Sequence, residues 1–245
     1  MLRFEAVSFA YDAAKPLIAG FNWQVEQGDS WAILGPSGSG KTTLLYLMAG
    51  LRHPTAGTVY FRGQPQTQPS PRIGLMLQAY GLLPWFSAAE NIAVGLKIRR
   101  LERKERRKIT QYWLKRLEIA HIASQFPSQL SGGQRQRVAL ARLLALDSEV
   151  NLLDEPLAAV DELTRERLQK LLWSLQRDLG MTTVMVTHNV EEAALLANKI
   201  LIIGAHTPIT TVTILDSPLT HEDYPQRHDR TFVEFTMQIR RCLGL

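Results

Sequence analysis

Lys41 closes a glycine-rich run, GPSGSGKTTLL (residues 35–45), and is followed at once by two hydroxyls, Thr42 and Thr43. The spacing fits G-x-x-x-x-G-K-[ST] in full across Gly35, Pro36, Ser37, Gly38, Ser39, Gly40, Lys41 and Thr42. The apolar SWAIL before it reads as a buried strand, and TLLYLMAGL after it reads as a helix. Glycine lets a backbone turn tightly and approach a ligand closely. The first N–H groups of a helix lack partners inside it, and its dipole favours negative charge there. Together these describe a polyphosphate cradle. Lys41 would meet the β- and γ-phosphates, and the Thr42 hydroxyl would reach Mg²⁺. A ligand-free glycine turn would explain the glycines, but not the full spacing between a strand and a helix.

A second set of chemical groups lies far away in sequence. VNLLDEPL (150–157) is an apolar strand ending in Asp154 and Glu155. One carboxylate at a strand end can support Mg²⁺, and its neighbour can orient and polarise a water. TTVMVTHNVEEA (182–193) places His188 just past another buried strand. In LSGGQRQR, Ser131 stands as an N-cap, and Gly132 and Gly133 open a long amphipathic helix. That is a second helix start fit for phosphate. It implies either two ligands or one ligand shared with a partner subunit. If all these strands are parallel, their carboxyl ends meet at one sheet edge, where ligands of α/β folds bind.

The positioning elements follow from periodicity. Strands are expected at 2–9, 21–25, 30–34, 58–61, 73–77, 150–153, 182–186, 200–203 and 210–215. Helices are expected at 41–49, 88–97, 102–117, 133–145, 161–179 and 190–197. Residues 79–145 are nearly all helical between strand-rich flanks, which reads as a helical subdomain (79–145) inserted into a nucleotide-binding core (1–78 and 146–215). Residues 216–245 read as a short extension, and the whole as one domain of 245 residues. No repeat of 20–50 residues is visible.

Composition narrows the class. One cysteine, Cys242, permits no internal disulfide, and no Cys/His cluster has zinc spacing, so a reducing compartment is expected. The opening MLRFEAVSF alternates like a strand, not like a signal peptide. No apolar run approaches the roughly 18–20 residues that span a bilayer, so any membrane parts are expected on other chains. Net charge is +5, with much of the excess in KIRRLERKERRK (97–108). That segment is a solvated helix face, or it meets anionic lipid or nucleic acid. Without interleaved aromatics, nucleic acid is the weaker of those two partners and is not expected.

The motif set and its order resemble the nucleotide-binding subunits of ATP-binding cassette (ABC) transporters over about residues 2–215. The resemblance implies an α/β P-loop NTPase core with a mostly parallel sheet, an N-terminal antiparallel β subdomain and an inserted helical subdomain. It implies ATP and Mg²⁺ as cofactors. Tyr11 in FAYD would stack on adenine, and Gly35–Thr43 would hold the phosphates. Gln78 would touch Mg²⁺ and the attacking water, and Leu130–Gln134 would be the family signature. Asp154 would support the metal, Glu155 would be the base, Asp161 would lie in an inter-subunit loop, and His188 would reach the γ-phosphate. Catalysis would thus fall to Glu155, His188, Lys41 and Gln78, and metal binding to Thr42, Gln78 and Asp154.

Two subunits, identical or alike, would pair head to tail, with ATP between the loop of one and Ser131–Gln134 of the other. QAYGLLPWFSAAENIAVGL (78–96) and the tail are similar to bacterial importers of the nitrate, sulfonate and taurine group. Separate permease subunits, an extracytoplasmic solute-binding protein and a place on the cytoplasmic face of the cell membrane are implied. An exporter subunit or a non-transport ABC ATPase is the alternative. Single-cassette length and the lack of long coiled-coil or zinc insertions argue against the latter. Two departures stand out. Asn151 occupies an aliphatic position of the acid-bearing strand, and Ala158 and Val160 replace Ser/Gly and Leu before Asp161. Leu82, Leu83, Trp85 and Phe86, crowded after Gln78 among Gly81 and Pro84, are either core or the edge of a groove for a membrane partner's helix.

Overall fold

The computed structural model describes residues 1–205, 207–219 and 223–245. Period-two patterning at the amino end builds β1 (Leu2–Asp12) and β2 (Lys15–Val25), paired antiparallel across a turn at Ala13 and Ala14. A bulge at Ala6, with φ 47°, shifts the phase so that Val7 and Phe9 stay inward with Leu2 and Phe4. β4 (Ala56–Phe61) and the two-residue β5 (Gln64–Pro65) complete this sheet in the order β2-β1-β4-β5.

The second sheet positions the chemistry. It contains β3 (Ser30–Leu34), β6 (Ile73–Met76), β7 (Val150–Asp154), β8 (Thr182–Val186), β9 (Lys199–Ile203) and β10 (Val212–Asp216). Their order is β10-β9-β3-β8-β7-β6, with every neighbouring pair parallel except β9 with β10. Both faces are covered, so the strands read as continuous apolar runs rather than alternating ones. The pleat still divides them. Trp31, Ile33, Leu152, Val184 and Val186 join the core beside the antiparallel sheet and α1 (Lys41–Met48), while Ala32, Leu34, Leu153 and Met185 join the core under the larger helices. Three of those helices, α2 (Ala88–Ile98), α3 (Arg103–Arg116) and α4 (Gly132–Ala145), pack on one another between β6 and β7. α5 (Glu162–Leu179) and α6 (Val190–Leu196) follow β7 and β8.

The expected elements are present, with shifted ends. β2 starts six residues earlier than 21, because Ala13–Ala14 turns without glycine or proline and Asp12 accepts from the Ala14 N–H at 3.0 Å. β5 was not expected, nor was α7 (Arg230–Leu243), where only an extension was read. Its signal was present: Phe232, Phe235, Thr236 and Ile239 fall at helical spacing and are buried. Residues 220–222 of that extension lie outside the described residues. Asn151 is buried, donates to the Ser148 carbonyl at 3.4 Å, and leaves its Oδ1 unpartnered. Gly74 pairs with Asn151 in register, and a side chain there would stand 2.4 Å from Leu143 Cδ1 of α4, so glycine lets α4 pack onto β6.

Candidate active site

β3, β6, β7 and β8 run the same way, so their carboxyl ends deliver four segments to one edge. From β3 comes the loop of Gly35–Gly40. A side chain at Gly35 would stand 2.7 Å from the Ile203 carbonyl oxygen, so only glycine lets this backbone pass so close to β9. Gly40, at φ +97°, is the N-cap of α1 and offers no side-chain cap. The Lys41 ammonium turns back into the loop and donates to the carbonyls of Gly35 at 2.8 Å and Pro36 at 2.7 Å. Burial lowers its pKa, while Glu155 and then Asp154 raise it. The Ser39 hydroxyl is buried with no partner. An orphaned hydroxyl, an uncapped helix start and a half-buried ammonium fit a polyphosphate.

From β7 comes Asp154, which is buried and accepts from the Thr42 hydroxyl at 3.0 Å. Burial pushes its carboxyl up, the Thr42 bond pulls it down, Glu155 pushes it up and Lys41 pulls it down. A hydroxyl against a buried carboxylate is a hard-oxygen pair that fits Mg²⁺, which takes one or two protein ligands and completes its shell with phosphate and water. No cluster of three or more His, Cys, Asp or Glu that could cage a metal exists among the described residues.

Glu155 adopts φ +50°, a strained conformation for a residue with a side chain. Its N–H donates to the Val186 carbonyl at 3.0 Å, and its carbonyl accepts from Gln136 Nε2 at 3.1 Å. So held, its carboxylate accepts from Gln78 Nε2 at 3.3 Å and lies 3.5 Å from His188 Nδ1. Tyr11, 60 % exposed, touches the Thr43 hydroxyl at 3.2 Å, and the Arg52 guanidinium lies 5.5 Å from its ring centre.

The structure thus joins Tyr11, Lys41, Thr42, Thr43, Gln78, Asp154, Glu155 and His188 in one site. It does not bring the signature to them. Ser131 and Gln134 instead form a reciprocal capping box at the start of α4, at 3.2 and 2.9 Å. A side chain at Gly133 would meet the Ala159 carbonyl and Val160 at 3.3 Å. Among the described residues no hydrogen bond or ion pair joins Ser131–Gln134 to the Lys41 loop. Asp161 caps α5 through the Thr164 N–H at 3.0 Å.

Three polar residues escaped the sequence reading. Gln136 is fully buried, and besides holding Glu155 it accepts from the Ala159 N–H at 3.1 Å. Its signal was a polar side chain on the apolar face of α4. Arg142 donates to the carbonyls of Tyr80 at 2.5 Å and Gly81 at 2.7 Å. Glu192, 5 % exposed, accepts from the Thr187 hydroxyl at 3.0 Å, and its Oε1 has no partner. Burial pushes the Glu192 carboxyl up from 4.5 to about 7, against the pull of the Thr187 bond, Arg165 and His188. The folded chain therefore binds this proton more tightly than the unfolded one. Stability is fullest below the unfolded value and falls as pH rises through about 7. At 1.4 kcal/mol per unit the wild type should lose about 3 kcal/mol between acid and mildly alkaline pH relative to Glu192→Gln. Urea unfolding of both proteins from pH 5 to pH 8 checks this, and parallel curves would refute it.

This fold, with a phosphate loop and two acids at one sheet edge and a capped glycine-rich helix start held apart, places the chain among the ATP-hydrolysing cassettes. A family model described as ABC transporter matches residues 18–158, and the chain belongs to that family as an ATP-binding, ATP-hydrolysing member. It is similar to the taurine import ATP-binding protein TauB of Chromobacterium violaceum, with 40% identity over 83% of this chain and 78% of the relative. The nitrate import ATP-binding protein NrtD of Synechococcus elongatus is 37% identical over 89% and 81% of the two chains. Among solved structures, a dimeric bacterial ABC transporter cassette superposes with a TM-score of 0.80 at 31% identity, over 87% of this chain and 98% of that one. Another of these is a dimeric post-hydrolysis state bound to ADP and Pi.

Proposed function

We propose that the chain powers a bacterial importer of a small solute of the nitrate, sulfonate or taurine kind. Two like subunits would pair head to tail at the cytoplasmic face of the cell membrane, beneath separate permease subunits that receive solute from an extracytoplasmic binding protein. The observation that carries the reading is the split site: Lys41, Asp154, Glu155 and His188 converge, while Ser131–Gln134 is ready for phosphate yet joined to none of them. A second subunit supplies what one chain leaves incomplete. The similarity to import subunits named for taurine and nitrate supports the direction of transport. No helix of the described residues is long and apolar enough to cross a membrane.

In this reading Tyr11 stacks on adenine, and Gly35–Thr43 wraps the phosphates. Lys41 places its charge at the β- and γ-phosphates, and Thr42, Gln78 and Asp154 are poised to hold Mg²⁺. The metal, when bound, neutralises charge on the transferring phosphoryl group. Glu155 accepts the proton of the attacking water, oriented by Gln78, and His188 holds the γ-phosphate. The Ser131 helix end of the partner presents N–H groups to the same phosphate. Closure depends on contacts that the γ-phosphate makes, so its loss reopens the pair and moves the permease.

In this reading the permease meets the outer face of the helical subdomain. Trp85 is 66 % exposed, with Phe86 edge-on at 6.5 Å, so the reading of all four residues at 82–86 as core is overturned for Trp85. On the same subdomain a groove of about 670 Å³ is lined by Ala89, Ala93 and Leu114 and by Arg103, Arg106 and Arg107. The basic segment therefore lines a groove instead of only facing solvent. An amphipathic permease helix with acidic residues along one side suits it. Trp85→Ala should leave ATP binding and the thermal melt of the free subunit unchanged, weaken co-purification with its permease subunits, and abolish transport-coupled ATPase. Unchanged assembly with a melt lowered by several degrees would show that Trp85 only packs.

A further inference from the structure

The His188 side chain is exposed, yet both residues flanking it are fastened. Thr187, buried, donates its N–H to the Ile33 carbonyl at 3.3 Å. Its hydroxyl accepts from the Asn189 N–H at 3.1 Å and donates to Glu192 Oε2 at 3.0 Å. Asn189 in turn caps α6 by accepting from the Glu192 N–H at 3.0 Å. One residue, a turn into α6, thereby anchors the two neighbours of His188 by separate bonds. Nothing in the chemistry of phosphoryl transfer needs a second buried carboxyl here, and an apolar residue would fill the space without an orphaned Oε1.

We infer that Glu192 is a positioning residue for His188: its buried carboxyl, acting through the Thr187 hydroxyl, fixes the 187–189 segment so that the imidazole stands at Glu155 and the γ-phosphate position. The inference rests on the role proposed for His188. Glu192 does not touch the reacting atoms. The charged and titratable groups around it are Arg165 on α5, His188 on its own loop and Glu155 after β7, and none of them is a hydrogen-bond partner of its carboxyl. Both protonation states keep a lone pair on Oε2 for the Thr187 O–H, so the link survives through neutral pH.

The test is ATPase kinetics of the full-length purified protein, with thermal melts alongside. Glu192→Leu and Thr187→Val each remove one end of the link at nearly constant volume. Each should lower kcat about tenfold while KM for ATP changes less than about twofold, as expected when geometry and not ground-state binding is lost. Glu192→Gln and Thr187→Ser keep an acceptor and a hydroxyl, and should restore most of the rate. The double variant Thr187→Val/Glu192→Leu should be no slower than either single one, because the two act as a unit. His188→Ala is the control. If it is slow while Glu192→Leu keeps wild-type kcat, the inference falls alone. Losses that simply add in the double variant, or that track only a lowered melt and folded fraction, would also overturn it. If His188→Ala turns over normally, the role given to His188 falls, and the inference with it.

Discussion

Glu155→Gln should retain ATP binding and slow hydrolysis by about 10²-fold or more, since it removes a positioned base and changes nothing else of size or shape. The backbone at this position is strained at φ +50°, and its own N–H and carbonyl are held by the Val186 carbonyl and the Gln136 side-chain amide. Exchange of the carboxylate for an amide leaves those bonds intact, so the fold should survive. Gln78 and His188 both approach the carboxylate oxygens, and an amide still offers one of them an acceptor. With the γ-phosphate uncleaved, the closed pair should accumulate, visible by light scattering as an ATP-dependent dimer. Turnover near that of the wild type in the purified variant would remove Glu155 from the role of base.

The second large effect is one of complementation. Ser131→Arg and Lys41→Ala should each nearly abolish ATPase activity as homodimers, because each places a lesion in both composite sites. A mixed dimer of the two variants collects both lesions in one site and leaves the other intact. Under conditions where one intact site suffices, it should recover a substantial part of wild-type activity. Such recovery is impossible if Ser131 and Lys41 serve the same ATP within one chain. The capping box of Ser131 and Gln134 makes the arginine substitution a local one, since losing a cap costs only about 1 kcal/mol. Tandem-affinity purification of the mixed dimer, followed by ATPase assay, decides the matter. Activity no higher than either homodimer would contradict the head-to-tail pairing.

The groups proposed to do chemistry were legible because phosphate chemistry demands fixed residue types at fixed spacing, and because buried parallel strands announce themselves as short apolar runs. Asp154, Glu155 and His188 lie within two residues of such runs, and Lys41 follows one across the glycine-rich loop. The residues that hold them were not legible. Gln136 and Arg142 bind main-chain carbonyls 19 to 62 residues away, and a backbone carbonyl has no letter in the sequence. Glu192 sits in a helix beside Glu191, and only burial distinguishes the two. β2 was read short because its turn uses two alanines, and α7 was passed over although its apolar residues recur with the right period. Asn151 looked anomalous in sequence, and it stays half-satisfied in the fold.

Arg142 ties the segment after Gln78 to α4. Its guanidinium grips the two carbonyls that follow closely on Gln78, and its backbone belongs to the rigid α4. Ser131 stands at the far end of that rod, eleven residues away, or about 16 Å at 1.5 Å per residue. A tilt of roughly 10° about the grip displaces the Ser131 end by about 3 Å, the whole length of a hydrogen bond. Under the proposed function, a rotation of α4 of that size, with Arg142 still holding the segment after Gln78, would decide whether the Ser131 helix start reaches a phosphate or misses it.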